Sequence, residues 1–305
     1  MQNKFNVSVG IPAFNEEANI KNLLKTILSQ KGENFVLKEI LVFSDGSTDE
    51  TVERAKEIND ARIKILDNKE RVGTAAGQNR ILEIFSGDVL VLLNADVLPS
   101  NDTFIASIIA PFYQEKGIGI VGGIPVPITA ENIFEKIINY SVEIKKYIYE
   151  KINRGNNIYA CHGRVRAFSR DFARKFSWNP EASIAEDPFS YLACIESGYK
   201  FFYQPSAQVL YKSPQNFKDH AKQSMRFFHG RNILKKYFDS DLIEQSYFIS
   251  RALLIRSLFY FFIRNPFLFL GYFCILVFSK LRSYFTETTS AQWSPSRTSK
   301  VLYEK

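Results

Sequence analysis

The chain has 305 residues and carries 39 Lys plus Arg against 32 Asp plus Glu, a formal net charge of +7. Its apolar fraction of 46% excludes intrinsic disorder, and 15 Gly with 11 Pro exclude a fibrous or collagen-like chain. Cys161, Cys194 and Cys274 lie far apart and form no Cys-x-x-Cys pair, which disfavours a disulfide framework or a thiolate zinc site. The length suits one large α/β domain or two smaller ones.

The basic surplus is concentrated in the last third of the chain. Residues 205–282 hold 12 Lys or Arg and 4 Asp or Glu, so the remainder is close to neutral. Nine Phe or Tyr fall between residues 252 and 279. A basic and aromatic segment of this kind favours a membrane surface as partner and disfavours nucleic acid.

The first hundred residues alternate between apolar strands and amphipathic helices. The initial apolar run, 7–11, is too short for a secretory signal. Periodicity predicts strands at 7–11, 39–43, 63–66 and 89–93, and helices at 17–30, 51–58 and 73–85. This alternation predicts an α/β fold, a Rossmann-like, mostly parallel sheet flanked by helices. Because ligands bind beyond the carboxyl ends of such strands, the polar clusters around Asn15, Asp45 and Asp96 are expected in one crevice.

The pattern changes after residue 127. It predicts a long helix at 131–152, a loop leading into a strand at 155–169 and a helix at 188–197. A helix rich in Lys and Arg follows at 217–238, and two strongly apolar helices follow at 253–263 and 266–278. We therefore expect an α/β domain over residues 1–240, apolar membrane-associated helices over 241–285 and a flexible tail over 286–305.

Two polar clusters follow predicted strands and suit ligand chemistry. Asp45 stands where an acceptor could bind the N–H of a nucleobase, although Gly46 could simply make a turn and Asp49 cap the next helix. Asp96 follows the most apolar strand, where a carboxylate can hold a hard divalent cation and the cation can neutralise a diphosphate. An ordinary turn at residues 94–96 is the alternative.

Two further clusters lie in the second half of the chain. Glu186 and Asp187 could face a cleft, but Asp187 followed by Pro188 also suits the N-cap and N1 positions of a helix. An amide, a guanidinium and an aromatic ring share one helical face at i, i+3 and i+4, which suits a phosphate or sugar ligand: Gln223, Arg226 and Phe227. The alternative is a solvated helix with the ring in the core. The three histidines, among them His162, have no metal-ligand spacing.

The order of these clusters is specific. Together they resemble a family 2 glycosyltransferase of the GT-A fold, on five motifs: IPAFNEE at 11–17, SDGSTD at 44–49, NAD at 94–96, ED at 186–187 and QxxRF at 223–227. The resemblance covers about residues 5–240 and implies that this part is a GT-A catalytic domain. It also implies an inverting transfer from a nucleoside-diphosphate sugar.

The resemblance implies roles for individual residues. The nucleotide-sugar site would be formed by Pro12, Asn15, Glu17, Asp45, Asn94 and Asp96, and Asp96 would hold Mn²⁺ or Mg²⁺. Asp187 would be the catalytic base, and Arg226 would stabilise the leaving diphosphate. Contacts to the acceptor and the diphosphate would come from Glu186, His162, Gln223 and Phe227.

Two departures from the family pattern affect these roles. Asn94 replaces the usual first aspartate of a D-x-D motif and removes one negative charge from the metal site, while its amide can still bond a ribose hydroxyl. Phe227 replaces the Trp of a Q-x-x-R-W motif and loses the indole N–H. The sequence does not show the several spanning helices of processive synthases, which favours a single transfer.

The apolar segment near the C-terminus is short for a membrane span. Residues 265–279 would form a helix of about 22 Å against a hydrocarbon core of about 30 Å. An extension back to residue 257 places Arg264 and Pro266 inside, and a central Arg costs roughly 3 kcal/mol. Two interfacial or re-entrant helices broken at Asn265-Pro266 are therefore expected. The alternative is a helical pair that packs on its own domain or on a second subunit.

The resulting hypothesis is a metal-dependent, inverting glycosyltransferase on the cytoplasmic face of a membrane. A UDP-linked sugar would be the donor and a glycan or lipid-linked hydroxyl the acceptor, and an oligomer is left open. Two alternatives stay open. One is a sugar-nucleotidyltransferase on a related scaffold. The other is a non-catalytic membrane protein that binds a nucleotide sugar, and Asn94 in place of the usual aspartate is the feature that leaves it open. A dinucleotide dehydrogenase is disfavoured because no G-x-G-x-x-G follows a strand.

Overall fold

Eight strands form one mixed sheet in residues 4–284, which together with residues 301–302 make up the described part of this computed structural model. The side chains of residues 182, 222, 225–229 and 282–284 lie outside the description. The strands are β1 (Phe5–Ala13), β2 (Phe35–Asp45), β3 (Ile63–Asn68), β4 (Val89–Leu93), β5 (Leu98–Pro99), β6 (Ile118–Pro127), β7 (Val165–Ser169) and β8 (Lys200–Tyr211). Their order across the sheet is β3-β2-β1-β4-β7-β6-β8-β5.

Helices cover both faces of the sheet and continue after its last strand. They are α1 (Ile20–Leu28), α2 (Thr51–Lys56), α3 (Thr74–Ile84), α4 (Phe104–Ile109), α5 (Pro111–Gln114), α6 (Ile133–Lys151), α7 (Arg170–Ala173), α8 (Glu186–Glu196), α9 (Phe217–Leu234), α10 (Ser240–Ser246), α11 (Arg251–Arg264) and α12 (Pro266–Tyr284). Three 3₁₀ turns lie among the described residues, at Asn153–Gly155, Ile158–Ala160 and Pro180–Ala185.

The direction of the strands differs between the two halves of the sheet. Neighbours among β1 to β4 pair in parallel, and so does β6 with β8. In contrast, β7 runs antiparallel to both β4 and β6, and β5 runs antiparallel to β8. The predicted fold class, a mostly parallel α/β sheet flanked by helices, is confirmed. The antiparallel position of β7 in the middle of the sheet was not predicted from the sequence.

Strand β4 is buried on both faces, which explains its unbroken apolar sequence. Val89, Val91 and Leu93 pack in one core cluster with the inner faces of α1 and α4. Leu90 and Leu92 point the other way and pack in a second cluster with α3 and α8. Successive side chains of a strand point to opposite faces, so a strand with two covered faces must be apolar throughout.

A third apolar cluster joins α6 to the two C-terminal helices. Tyr140 and Ile144 of α6 pack with Phe261 of α11 and Tyr272 of α12. The break between α11 and α12 falls at the predicted place, because α11 ends at Arg264 and α12 begins at Pro266. Asn265 between them accepts a hydrogen bond at Oδ1 from the N–H of Leu268 at 3.0 Å, as a helix cap does.

The start of α8 differs from the prediction. The helix begins at Glu186, and its N-cap position is taken by Ala185 with no side-chain hydrogen bond, so Asp187 is not the N-cap. The reason is the 3₁₀ turn at Pro180–Ala185, which runs directly into the helix. Pro188 then occupies the third helical position, where its missing N–H is not required.

Most of the predicted tail over 286–305 lies outside the described residues. Residues 301 and 302 are described, and Leu302 is buried in the first core cluster beside α1. Its N–H donates to Asn19 Oδ1 at 3.3 Å, immediately before α1.

A buried carboxylate links β1, β2 and β3 near the ends of the sheet where these parallel strands begin. Glu39 of β2 accepts hydrogen bonds from Ser8 Oγ at 2.7 Å, from Ser86 N at 2.7 Å and from Lys64 Nζ at 2.7 Å. Burial alone would raise the pKa of Glu39, but these donors outweigh it and lower the pKa to about 2.

We expect this carboxylate to make stability depend on pH. Because its folded pKa lies below the unfolded value of 4.5, the stabilisation is present above about pH 4.5 and is lost as the pH falls toward 2. The contribution is about 3 kcal/mol in the free energy of unfolding. Urea unfolding at pH 6 and pH 3 should show that Glu39→Gln removes this part of the pH dependence. The control Glu33→Gln, at an exposed site, should retain it; equal slopes for both variants would contradict the assignment.

Candidate active site

The three predicted polar clusters lie at one edge of the sheet. Because β1, β2 and β4 are parallel neighbours, the loops that follow Ala13, Asp45 and Leu93 leave the sheet on the same side. Strand β7 runs the other way and begins at that edge, where Val165 pairs with Leu93. The loop before β7 therefore joins the three clusters, although it is far from them in sequence.

The loops after β1 and β2 are clamped together by their polar side chains. Asn15 has a left-handed backbone (φ 54°), which asparagine tolerates, and its Oδ1 accepts from the N–H of Thr48 at 2.8 Å. Glu17 accepts from Glu50 N at 2.9 Å and donates its own N–H to Asp49 Oδ2 at 3.2 Å. These contacts fix one loop against the other, and nucleotide binding by Asn15 and Glu17 stays a prediction.

Asp45 organises the turn that leads into α3. It is 6% exposed and accepts hydrogen bonds from the N–H groups of Val72 at 2.7 Å and Gly73 at 2.9 Å. The next residue, Gly46, has φ 66°, and a Cβ there would approach the backbone N of Arg71 to 2.9 Å. A carboxylate offers about four acceptor positions, so Asp45 keeps capacity for a further donor such as a nucleobase N–H.

Arg71, which no sequence motif marked, lies beside Asp45. Its guanidinium carbon is 4.0 Å from the centre of the Phe14 ring, so the first loop and the turn before α3 meet there. The sequence signal for this turn is Gly73 directly before the predicted helix, and the structure gives it a φ of 94°. Pro12 is half-buried in β1, close to this contact in sequence.

The cluster after β4 contacts the loop before β7. The N–H of Asn94 donates to the carbonyl oxygen of Arg164 at 3.2 Å. The guanidinium carbon of Arg164 lies 4.1 Å from the centre of the Tyr211 ring, which gives this edge a fixed cation. Asp96 is half-buried, and its carboxylate has no hydrogen-bond or ion-pair partner among the described residues.

The oxygen ligands at this edge suit a divalent cation whose coordination shell is completed by the substrate. Within the described residues, no three His, Cys, Asp or Glu side chains come together as a metal cage. Mg²⁺ and similar ions usually keep several waters and bind one or two carboxylates plus substrate phosphates. Asp96, with the amide of Asn94 nearby in sequence, matches that pattern and does not match a closed structural metal site.

Asp187 lies in the first turn of α8, against the loop before β7. Its Oδ1 packs on Gly163 so closely that a Cβ at that glycine would be 2.1 Å away. The Nη1 atom of Arg166 lies 3.9 Å from the same oxygen, and the Asp187 side chain is 32% exposed. Glu186, its neighbour, is buried. The structure therefore brings Glu186 and Asp187 to the loop that also carries Arg164.

His162 belongs to the same loop and is uncharged at neutral pH. Burial lowers the pKa of its imidazole to about 4. Asp187 opposes this shift, whereas the nearby cations Arg164 and Arg166 add to it. A neutral imidazole here can donate or accept one hydrogen bond but does not supply a positive charge.

The helix that carries the QxxRF motif, α9, passes beside α8. A Cβ at Gly230 would lie 3.2 Å from the Cβ of Ala185, the residue before Glu186. Gln223 is half-buried. The side chains of Arg226 and Phe227 lie outside the described part, so their predicted roles remain predictions.

Comparison with known proteins identifies several relatives. The sequence profile described as Glycosyl transferase family 2 matches residues 8–176. The chain is 26% identical over 275 residues to the probable glycosyltransferase YdaM of Bacillus subtilis, covering 87% of this chain and 63% of that protein. It is also 26% identical over 256 residues, 76% of this chain and 75% of the relative, to a Methanococcus voltae dolichyl N-acetyl-alpha-D-glucosaminyl phosphate 3-beta-D-2,3-diacetamido-2,3-dideoxy-beta-D-glucuronosyltransferase.

A solved structure shares the fold. The mannosyltransferase PcManGT from Pyrobaculum calidifontis, in complex with GDP-Man and Mn²⁺, aligns with a TM-score of 0.60 at 17% identity, over 95% of this chain and 78% of that chain. The chain spans less than two thirds of the Bacillus subtilis relative. The family match includes the clusters at Asn15, Asp45 and Asp96 and ends before Asp187. Because it covers more than half of the sequence, the chain belongs to glycosyl transferase family 2.

Proposed function

We propose that this chain is a metal-dependent, inverting glycosyltransferase that uses a nucleoside-diphosphate sugar. The observation that carries the proposal is the position of Asp187. Its carboxylate packs on Gly163, and the following residue, Arg164, is hydrogen-bonded to Asn94 beside the metal-binding candidate Asp96. A candidate base and a candidate diphosphate site thus lie at the same edge of the sheet.

A single displacement at the anomeric carbon would explain inversion. Asp187 takes the proton of the acceptor hydroxyl while the hydroxyl oxygen bonds to the anomeric carbon. The bond from that carbon to the diphosphate oxygen breaks, and the nucleoside diphosphate leaves with the electron pair. Neutral His162 can orient the acceptor hydroxyl through a hydrogen bond without competing for its proton.

The donor would lie across the loops after β1, β2 and β4. Asp45 and Arg71 would contact the nucleobase side, with Pro12 and the clamped pair Asn15 and Glu17 shaping that pocket. The ribose would meet Asn94. The clamp supports this arrangement because it presents both loops as one preformed surface.

The diphosphate would be neutralised from two sides. Asp96 would hold Mn²⁺ or Mg²⁺, and a bound cation of this kind neutralises the negative charge that develops on the leaving group. Arg226 of α9 would add a second positive charge, and Gln223, Phe227 and Glu186 would complete the contacts to the diphosphate and the acceptor. The close passage of α9 over Ala185 supports this placement.

The two alternative functions release different products. A sugar-nucleotidyltransferase releases pyrophosphate, a binding protein releases nothing, and a glycosyltransferase releases a nucleoside diphosphate. Incubation with Mn²⁺ and a panel of UDP-, GDP- and dTDP-linked sugars, with separate detection of nucleoside diphosphate and pyrophosphate, distinguishes all three. We expect nucleoside diphosphate, with a UDP-linked sugar as donor.

We further propose that α11 and α12 attach the protein to the cytoplasmic surface of a membrane. These helices expose an unusually large set of apolar side chains: Leu254, Ile255, Phe259, Tyr260, Phe262, Ile263, Phe267, Leu270, Phe273, Leu276, Val277, Phe278 and Leu281. Exposed apolar patches of this size mark interaction surfaces. Basic residues accompany them, including Arg251, Arg256 and Arg264, which favours an anionic, cytoplasm-facing leaflet.

An interfacial position suits these helices better than a span. By length and composition the segment Ser240–Arg264 could cross a membrane. However, it consists of two helices, α10 and α11, separated by residues 247–250, and α11 alone is about 21 Å long. A pair of short helices lying in the headgroup region fits this geometry.

The acceptor loop, residues 156–164 before β7, contacts α6 and the segment between α10 and α11, which supports a lipid-linked acceptor. Tyr159, three residues before His162, stacks on Tyr149 of α6 with ring centres 4.5 Å apart. Its hydroxyl donates to the carbonyl oxygen of Tyr247, just before α11, at 2.7 Å. A lipid tail could therefore stay in the bilayer while the sugar end of the same molecule reaches Asp187.

Replacement of the base should abolish transfer without loss of donor binding. We expect Asp187→Asn to lower kcat by about 10² to 10⁴-fold, the range for loss of a general base, because the amide cannot take the hydroxyl proton. Donor binding is checked by the thermal shift with nucleotide and Mn²⁺. The control Asp171→Asn, at an exposed site on α7, should leave kcat unchanged. A wild-type rate for Asp187→Asn would show that the assigned base is wrong.

Removal of the metal should stop turnover reversibly. Excess EDTA is expected to abolish product formation and added Mn²⁺ to restore it, and Asp96→Asn should raise the Mn²⁺ concentration needed for half-maximal rate. Asn94→Asp is the matched variant: it adds one negative charge and should lower that concentration several-fold. Unchanged turnover in EDTA, or no shift in either variant, would remove the metal from this edge.

The exposed apolar side chains should control membrane binding. The full chain is expected to float with vesicles that contain anionic lipid, and Phe259→Glu/Phe267→Glu/Phe273→Glu should lower the bound fraction more than tenfold, since each buried Phe contributes about 1.5–3 kcal/mol. The control Val36→Glu changes an exposed apolar residue at the opposite edge of the sheet. The proposal would be contradicted by a soluble wild-type chain that does not bind the vesicles, or by one that forms a dimer through this surface.

A further inference from the structure

A fully buried arginine lies directly behind the proposed base. Arg166 of β7 is 0% exposed, and its Nη1 donates to Ser190 Oγ at 2.8 Å and to the carbonyl oxygen of Glu186 at 3.4 Å. The same nitrogen is 3.9 Å from Asp187 Oδ1. A buried charge carries a large desolvation penalty, which its partners must offset. All three partners lie in the first turns of α8.

Trp178 binds the same turn next to Arg166. Its Nε1–H donates to the carbonyl oxygen of Glu186 at 3.0 Å, so this oxygen accepts from both Trp178 and Arg166. The guanidinium carbon of Arg166 lies 5.3 Å from the Trp178 ring centre. Asn79 of α3 binds the backbone of Trp178 through both its amide atoms, each at 2.8 Å. The peptide between Glu186 and Asp187 is thus held by Arg166 of β7 and by Trp178, which α3 holds in turn.

The two carboxylate oxygens of Asp187 have different surroundings. Oδ1 is buried between Gly163 and Arg166 and makes no hydrogen bond within the described residues. The side chain is nevertheless about one third exposed, so the other oxygen, Oδ2, provides the accessible acceptor. This asymmetry orients the carboxylate before any substrate binds.

We propose that Arg166 is a positioning residue for the reaction: it holds Asp187 Oδ1 against the sheet, so that Oδ2 is presented to the acceptor hydroxyl. Gly163 completes the arrangement, because a side chain there would occupy the space of Oδ1. This inference rests on the proposed role of Asp187 as the base. Arg166 itself is buried and does not touch the substrate.

The first test separates chemistry from binding. We expect Arg166→Met, which keeps the length and removes the charge, to lower kcat about 10- to 100-fold, because a displacement of about 1 Å costs that much. The donor KM and the thermal shift with nucleotide and Mn²⁺ should stay within about twofold, and Arg166→Lys should restore part of the rate. A parallel loss of nucleotide binding and kcat would indicate a general structural role and overturn the proposal.

A glycine variant tests the same geometry with the charge retained. Gly163→Ala should lower kcat with the same unchanged donor KM, since the methyl group displaces Oδ1 while Arg166 is intact. The control for Arg166→Met is Arg170→Met. Arg170 lies just beyond β7, at the other edge of the sheet, where its guanidinium donates to the carbonyl oxygen of Gly87 at 2.6 Å. This variant should leave kcat unchanged. Wild-type kcat for Gly163→Ala would contradict the packing argument even where Arg166→Met fails to fold.

A double-mutant cycle shows whether Arg166 acts through Asp187. If it does, Arg166→Met should cost less than about twofold in an Asp187→Asn background, although it costs at least tenfold in the wild type. Equal costs in both backgrounds would overturn the positioning role and leave the base assignment intact. A fully active Asp187→Asn variant would instead overturn the base assignment itself, so the two failures are distinguishable.

Discussion

Antiparallel pairing of β7 with β4 is the interaction on which the candidate site depends. It runs from Val89 with Ser169 to Leu93 with Val165, and it reverses the chain direction in the middle of an otherwise parallel region. Without it, the loop that carries His162 and Arg164 would leave the sheet at the far edge. With it, residues that are some 70 positions apart in sequence meet where the parallel strands end.

Several buried polar atoms behind the candidate base make no hydrogen bond within the described residues. Buried polar atoms are normally hydrogen-bonded, yet Nε and Nη2 of Arg166 and Oδ1 of Asp187 have no hydrogen-bond partner within the described residues. By contrast, the buried carboxylate of Glu39, at the other edge, is bonded by three different residues. The two carboxylates therefore differ: hydrogen bonds hold Glu39 in the interior, whereas Asp187 keeps unused acceptor capacity.

Helix α6 connects this site to the apolar C-terminal helices. One of its faces packs with Phe261 and Tyr272, and its end contacts Tyr159 of the acceptor loop. The exposed apolar surface of α11 and α12 is therefore part of the same packed body as the candidate base. A membrane surface bound there would stand in a fixed relation to the place where an acceptor must enter.

The sequence alone determined the alternation of strands and helices, the polar residues at the strand ends and the helix break at Asn265-Pro266. These features depend on local periodicity, strand burial and the geometry of proline, all of which are determined by residues close together in the sequence. The common edge of the sheet for Asp45 and Asp96 also follows from the sequence, because parallel strands end on the same side.

Only the tertiary structure decided the direction of β7, the start of α8 at Glu186 and the parts played by Arg71, Gly163 and Arg166. Each of these depends on contacts between segments distant in the chain. Asp187 followed by Pro188 suits a helix cap in isolation, but the preceding 3₁₀ turn moves the start of the helix two residues back, to Glu186. A lone arginine in an apolar strand has no local signature of a partner, since the carboxylate it faces is set by how β7 and α8 pack together.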